Sequence, residues 1–207
     1  MLCMKIVSLK NTKKTQPNIF KATCETGEVF ELHADAMLEY GIVLNSEIDA
    51  QVFINAVEKS EWLIACANAM NFVSRQLKTA KQLRTYLYKK GYSADTVNRL
   101  VDKMSSYNLI SDETYAKMYT NSMQKSKSKS YIKNKLFEAG ISPEIINESV
   151  AGIEDVESAK KIVDKYFLSH AVEQKNIEKL IRHLQYKGYG WDTINSCLKN
   201  YKNQIDD

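Results

Sequence analysis

The fold is decided by a ten-residue stretch at positions 83–92, LRTYLYKKGY, because its pattern returns twice along the chain. The later copies are 132–141, IKNKLFEAGI, and 180–189, LIRHLQYKGY. Each copy has two apolar residues four positions apart, then a glycine and an apolar residue, and a second apolar i, i+4 pair follows. The glycines recur after 49 and 48 residues. Such a period predicts one supersecondary unit stacked in three copies, each burying its apolar face on its neighbours.

Each copy is expected to contain three helices, a, b and c. The i, i+4 spacing places both apolar residues on one helical face, so helices b and c share a seam that helix a covers. The glycine ends helix b, since it adopts the left-handed conformation freely. Thr79 and Gln82 form a predicted capping box at the start of the first helix b, and Ser142 with Pro143 starts a helix c. The predicted core faces of the later helices a are Tyr115, Met118, Tyr119 and Ser122, and Ala159, Ile162, Val163 and Tyr166.

The first 33 residues have a different pattern, with short apolar runs separated by turn residues. They predict a small β-meander with a hairpin at 25–27 and a turn-rich connection at 11–18. A short helix over 34–40, closed by Gly41, should follow. Residues 45–47 are expected to cap the next helix, whose apolar face begins with Ile48 and which can continue through Trp62.

The predicted fold class is therefore mostly α: three tandem three-helix repeats with a small β-containing N-terminal region. The domain boundaries are placed at 1–45 for the β leader with its short helix, and at 46–110 for a linking helix plus the first repeat. The second repeat is assigned to 111–152 and the third to 153–207.

Composition and motifs argue against several classes of protein. No apolar stretch approaches the ~20 residues of a membrane span, and residues 1–5 lack the features of a signal peptide, so a cytoplasmic protein is expected. The four cysteines are far apart in sequence and form no CxxC, so neither zinc nor a cofactor is expected. No nucleotide-binding, metalloprotease or serine-hydrolase motif occurs, and the acidic pairs at 112–113 and 154–155 are interpreted as favouring helix N-termini. We expect no enzyme.

Positive charge is concentrated in one segment. Residues 75–135 contain 14 Lys/Arg and 4 Asp/Glu, whereas the parts before and after are net negative and the whole chain is +4. Such a concentration suits a polyanion, either nucleic acid or an acidic protein groove. The alternative is a solvated basic face without a partner. The candidate contact residues are Arg75, Lys78, Lys81, Arg84, Lys89, Lys90, Lys125, Lys127, Lys129, Lys133 and Lys135.

The segment 124–130, QKSKSKS, is predicted to be a flexible loop whose lysines and hydroxyls suit phosphate oxygens. No helix-turn-helix base reader is present, so any nucleic-acid contact should be independent of sequence.

From about residue 60 to 200 the chain resembles the RecX family, bacterial regulators of the RecA recombinase. The resemblance is carried by 108–119, NLISDETYAKMY, by 72–87, FVSRQLKTAKQLRTYL, and by the Lys-Gly-aromatic turn at 90–92 with its copies. The leader is similar to the N-terminal extension of longer members. The Gly-Pro-Arg turn that many members carry before the second helix b is replaced by Ser126-Lys127-Ser128-Lys129-Ser130.

The resemblance implies an elongated, curved, non-enzymatic protein that lies in the groove of the RecA–DNA filament. It implies inhibition of RecA ATPase and strand exchange, together with disassembly of the filament or a block to its growth. Such a role needs only weak, sequence-independent binding to bare DNA. We expect a monomer with no membrane or small-molecule partner. Two alternatives stay open: a helical repeat protein that acts on bare nucleic acid, and a scaffold that binds only proteins.

Overall fold

A computed structural model describes residues 3–13 and 16–206. Their backbone divides into two compact units. The first contains the described parts of 1–76 together with 83–109, and the second contains 77–82 together with the chain from residue 110 onward. The first unit therefore holds the β-containing region and most of the first repeat, and the second holds the other two repeats.

The N-terminal region is a four-stranded antiparallel sheet in the order β3-β2-β1-β4. The strands are β1 (Cys3–Lys13), β2 (Gln16–Cys24), β3 (Val29–His33) and β4 (Glu47–Asp49). The predicted hairpin at 25–27 is confirmed: Gly27 has φ +88° and donates its N–H to the carbonyl of Cys24 at 2.9 Å. Ile6, Ala22 and Leu32 are buried between the sheet and the following helices.

The predicted connection at 11–18 is wrong for its described residues. Residues 11–13 belong to β1 and 16–18 to β2, and Asn11 pairs with Phe20 in the ladder. Lys14 and Thr15 lie outside the described residues. Polarity misled the prediction, because an antiparallel sheet can expose one face to water and tolerates polar residues along its strands.

The predicted cap at 45–47 is also wrong. Asn45 lies in a turn with φ +64°, and Glu47–Asp49 is the short edge strand β4, paired with residues 3–5. Ile48 therefore lies within the sheet, buried on its core face, instead of beginning a helical face. The true cap is Asp49, whose carboxylate accepts the N–H of Gln51 at 2.8 Å.

Two helices complete this region. The predicted short helix is confirmed as α1 (Ala34–Glu39), followed by Gly41 at φ +64°. Helix α2 (Ala50–Val73) runs on through Trp62 for 24 residues. Its first half packs on the sheet through Phe53, and its second half serves as helix a of the first repeat.

Eight further helices form the rest of the repeats in the described residues. The first repeat continues with α3 (Ala80–Lys89) and α4 (Ala94–Ser106). The second is α5 (Asp112–Met123), α6 (Lys129–Glu138) and α7 (Pro143–Ser149). The third is α8 (Asp155–Phe167), α9 (Gln174–Tyr186) and α10 (Trp191–Asp206).

The repeated pattern is confirmed as the core of these helices. All twelve of its apolar i, i+4 residues are buried, at most 5% exposed: Leu83, Leu87, Val97, Val101, Ile132, Leu136, Ile146, Val150, Leu180, Leu184, Ile194 and Leu198. Such burial contributes about 1.5–3 kcal/mol for each large aliphatic side chain.

The glycine turns also have the predicted geometry. Gly91, Gly140 and Gly188 have φ of +88°, +88° and +89°. In each turn the N–H of the following residue donates to a carbonyl five positions earlier, as when Tyr189 bonds Leu184 at 3.1 Å. The capping box is confirmed too, with Thr79 and Gln82 each accepting the other's N–H.

The predicted face of helix α5 is wrong in register. Ala116 and Thr120 are the buried positions, Met118 is 56% exposed, and Tyr115 and Tyr119 are half-buried with stacked rings. The aromatic rings therefore cover the edge of the core. In α8, Ala159 and Val163 are buried as predicted.

Within the described residues, no helix is both long enough and apolar enough to cross a membrane. The same residues contain no group of three or more His, Cys, Asp or Glu side chains placed to hold a metal ion.

Candidate functional site

Hydrogen bonds between the second and third repeats hold the start of helix α6 in place. Ser128 caps α6 by accepting the N–H of Tyr131 at 3.1 Å, and its hydroxyl donates to the carbonyl of Gly188 at 2.7 Å. The N–H of Lys129 donates to the carboxylate of Asp155 at 2.7 Å. One orphan N–H of α6, that of Lys129, is thus satisfied by the following repeat, and that of Tyr131 is satisfied by Ser128.

A similar arrangement occurs at residues 77–82, which lie in the second unit. The hydroxyl of Thr79 donates to the carbonyl of Ala139 at 2.7 Å, and the N–H of Ala80 donates to the carboxylate of Asp112 at 3.0 Å. The acidic pairs therefore have a role beyond the predicted one of favouring the N-termini of their own helices. Besides starting their own helices, Asp112 and Asp155 each cap the start of another.

Four of the predicted contact residues lie in the first unit. Arg75 is exposed in the turn after α2, and Arg84 is half-buried on α3. Lys89 and Lys90 are exposed at the end of α3, where positive charge also favours the helix C-terminus.

Two more lie in the segment 77–82. Lys78 is half-buried and directly precedes the cap residue. The ammonium of Lys81 donates to the carbonyl of Glu138 at 3.1 Å, and its aliphatic chain lies where a side chain at Gly140 would be. Lys81 therefore takes part in joining the segment to the second repeat.

The remaining five follow α5. Lys125 is exposed, and Lys129 begins α6. Lys133 donates to the amide oxygen of Asn147 at 2.8 Å. Lys135 forms an ion pair with Glu138 at 2.7 Å, and that hydrogen bond raises the pKa of the Lys135 ammonium. The positive charge of Lys135 is thus largely neutralised by Glu138 of the same helix.

The segment 124–130 is more tightly bonded than predicted. The N–H of Lys127 donates to the carbonyl of Met123 at 2.9 Å, and the ammonium of Lys187 donates to the carbonyl of Ser126 at 3.1 Å. Ser128 is buried and its hydroxyl already donates to the carbonyl of Gly188, so this hydroxyl is not presented to solvent. The expectation of a loop presenting its serine hydroxyls is corrected for Ser128.

The structure surrounds Lys127 with aromatic rings and further cationic groups. Its ammonium lies 4.3 Å from the ring centre of Tyr131 and 4.8 Å from that of Tyr186, within cation–π range of both. We call Lys127, Tyr131, His183, Tyr186 and Lys187 the junction cluster.

The pKa values in the junction cluster reflect its positive charge. Burial lowers the pKa of the His183 imidazole, and Lys187 and Lys127 lower it further. Burial, followed by Lys127, lowers the pKa of Lys187. Among the described residues, no carboxylate forms a hydrogen bond or an ion pair with Lys127 or Lys187. Charge repulsion of this kind favours binding of an anion.

Sequence reasoning found Lys127 and missed its companions. Tyr186 and Lys187 belong to the third copy of the repeated pattern, which lies beyond the basic segment, and their proximity to Lys127 follows from the bonds of Ser128. The spacing of the three copies was the signal that could have found them. It places Lys187 in the third glycine turn, which bonds Ser128 at the start of α6.

A second missed cluster lies in the first unit, between α2 and α4. The guanidinium of Arg99 lies 4.6 Å from the ring centre of Trp62, and the ammonium of Lys103 lies 5.3 Å from it. Arg99 also pairs with Asp95 at 3.4 Å. This cluster has a carboxylate partner, unlike the junction cluster.

Models of three RecX domains match the chain in order. The first three-helix domain matches residues 65–104, the second 111–150 and the third 153–198. Regulatory protein RecX of Clostridium perfringens strain 13 is 30% identical over a 208-residue alignment that covers 96% of this chain and 97% of that protein. Its counterpart from Caldanaerobacter subterraneus subsp. tengcongensis is 29% identical, with 96% and 98% covered.

Two solved structures have a similar fold. A crystal structure of regulatory protein RecX has a TM-score of 0.60 at 19% identity and covers 97% of this chain and 99% of its own. That of RecX from Lactobacillus salivarius has a TM-score of 0.58 at 24% identity, covering 69% of this chain and 97% of its own. With three domain models matched in order along one chain, this protein belongs to the RecX family.

Proposed function

We propose that this protein regulates the RecA recombinase without catalysing a reaction, by binding the RecA–DNA filament and lowering its ATPase and strand-exchange activity. The observation that carries the proposal is the ordered match to the three RecX domains. We further propose that it acts in the cytoplasm as a monomer, modulating recombination and DNA repair.

Charge supports this function. Within the second unit, Lys125, Lys127 and Lys129 follow one another at alternate positions. Lys187 directly follows Tyr186, whose ring centre lies 4.8 Å from the ammonium of Lys127. Exposed or half-exposed cations favour association with a polyanion and accelerate it at low salt. We propose that the strongest contacts to the filament come from this part of the basic segment.

The proposal is tested by measuring the single-strand-dependent ATP hydrolysis of RecA with increasing amounts of this protein. Inhibition at stoichiometric amounts is expected. An unchanged rate at excess protein would refute the proposed function.

A triple charge reversal, Lys127→Glu, Lys129→Glu and Lys133→Glu, tests the contact residues. Half-inhibition should then need at least about tenfold more protein, a loss of ~1.4 kcal/mol of binding free energy. Helix α6 should persist, because acidic residues favour a helix N-terminus. The matched control reverses Lys175, Lys179 and Lys199, which are exposed elsewhere in the second unit, and should inhibit almost as well as the unaltered protein. Equal inhibition by both variants would show that the contacts lie elsewhere.

A further inference from the structure

We infer that the junction cluster is a binding site for single-stranded nucleic acid, with Lys127 and Lys187 meeting phosphates and Tyr186 stacking on an unpaired base. The inference rests on the proposed function. It assigns one part of the filament-binding surface to the DNA strand and not to RecA.

The cluster is held in place before any ligand arrives. Ser128 bonds Gly188 through its hydroxyl at 2.7 Å and Lys187 through its N–H at 3.1 Å. These bonds fix the end of α9 beside the start of α6, and so fix Tyr186 beside Lys127. A site on packed helix ends loses little conformational entropy on binding.

The chemistry of the cluster matches a nucleotide better than a carboxylate-bearing protein. Tyr186 is 79% exposed, so much of its ring is open to solvent. Exposed aromatic rings stack on unpaired bases of any sequence, while lysines neutralise the phosphates between them. An acidic peptide would engage the cations but would leave the exposed ring of Tyr186 without a stacking partner. Bases in a duplex are stacked on one another and are not accessible to Tyr186.

The first copy of the junction shows that the cluster is not needed to join the repeats. There, Ala80 makes the same amide-to-carboxylate bond, and the hydroxyl of Thr79 donates to the carbonyl of Ala139, the residue at the position of Lys187. Yet Gln82 stands at the position of Tyr131, and Glu138 at the position of Tyr186. The junction therefore forms with a glutamine and a carboxylate where the second copy has two tyrosines. This difference leaves the aromatic and basic residues of the second copy available for a ligand.

The protonation of His183 supports the same conclusion. Its lowered pKa arises from burial and from the charges of Lys187 and Lys127. A phosphate between these groups would offset the repulsion.

The test uses the 207-residue chain and fluorescence anisotropy with a labelled oligothymidylate, without RecA. Tyr186→Ala should weaken binding by about fivefold to a hundredfold, as expected for the loss of one base–aromatic stack. Tyr186→Phe keeps the ring and should bind within about twofold of the unaltered protein. Tyr107→Ala, a control at another exposed tyrosine (67%), should have no effect. A duplex of equal length should bind more weakly than the single strand.

Three results would overturn the inference: equal affinity of Tyr186→Ala and Tyr107→Ala, equal loss in Tyr186→Phe and Tyr186→Ala, or preference for the duplex. Inhibition of RecA by a protein that does not bind the bare strand would also overturn it, but would leave the proposed function intact. Conversely, Tyr186-dependent strand binding without any effect on RecA would uphold the inference and refute the proposed function.

Discussion

Three glycines occupy the same position in their repeats but meet different surroundings. Gly91 has open space where a Cβ would project, whereas a Cβ at Gly188 would lie 2.6 Å from the hydroxyl of Ser128 and 2.9 Å from the Cβ of Tyr131. All three have positive φ, so each relieves backbone strain. At Gly140 and Gly188 the missing side chain also permits close approach of another helix.

Alanine substitutions separate these two roles. Gly91→Ala should reduce the free energy of unfolding by about 1–2 kcal/mol through backbone strain alone. Gly188→Ala should lose a further ~1–3 kcal/mol because the added methyl group overlaps α6. Urea titration followed by circular dichroism measures both losses. Equal losses would contradict the close approach at Gly188.

The protonation of His183 reports on the charge of the junction cluster. Because its folded-state pKa lies below the ordinary value of 6.5, the unfolded chain binds the proton more readily. The resulting contribution to stability is present above about pH 6.5 and is lost as the pH falls toward the folded-state pKa.

Lys127→Gln removes one of the charges that act on His183 and should raise its pKa. The measurement is an NMR titration of the imidazole protons. Lys165→Gln, a change at an exposed lysine of α8, serves as control and should leave the titration unchanged. A pKa that stays the same or falls in Lys127→Gln would contradict the geometry of the cluster.

At the scale of elements, two serine caps differ in whether they also bond the next repeat. Ser142 caps α7 within its own repeat, accepting the N–H of Ile145 at 3.5 Å. Ser128 caps α6 and also donates to Gly188 in the next repeat. The first serine stabilises a helix, whereas the second also joins two repeats.

We therefore expect Ser142→Ala to cost ~0.5–1 kcal/mol, near the lower end for a lost cap. Ser128→Ala should cost ~2–4 kcal/mol, since it also leaves the carbonyl of Gly188 without its donor. Chemical denaturation of both variants under one set of conditions gives the difference. A similar cost for both would show that the Ser128–Gly188 bond contributes little.

At the scale of the whole molecule, a net charge of +4 conceals a strongly basic segment. Binding to single strands should weaken with salt, with a slope of about −0.7 in log affinity against log salt for each phosphate neutralised. The double variant Lys127→Gln, Lys187→Gln should reduce that slope by about 1.4. Affinity measured across a series of salt concentrations tests this, and an unaltered slope would show that neither lysine meets a phosphate.

Much of the helical architecture could be predicted because its signals are local. The i, i+4 pairs and the glycine turns act within one or two helices, and they appear in the structure as expected. Asp112 and Asp155 show where such reasoning stops. Both stand at helix starts, where a carboxylate is favourable in any case. The sequence therefore did not indicate that Asp112 bonds Ala80, 32 residues away, or that Asp155 bonds Lys129, 26 residues away.

The candidate site was predictable in part for the same reason. A run of lysines marks positive charge, and Lys127 was identified from it. Which lysines are already paired, and which rings lie beside them, depends on how the repeats pack. Lys135 is thus paired with Glu138, while Lys127 lies between two tyrosine rings.

The bonds of Thr79 and Ser128 have a consequence for synthesis of the chain. When a ribosome has made only the first repeat, the N–H of Ala80 at the start of α3 still lacks Asp112, and the hydroxyl of the cap residue Thr79 still lacks Ala139. The start of α6 likewise lacks its bonds to Asp155 and Gly188 until the third repeat has been made. Since translation proceeds from the N-terminus, each repeat is completed only by the next one to emerge. The start of α9 differs from these two, because its cap residue Glu173 makes no side-chain cap bond.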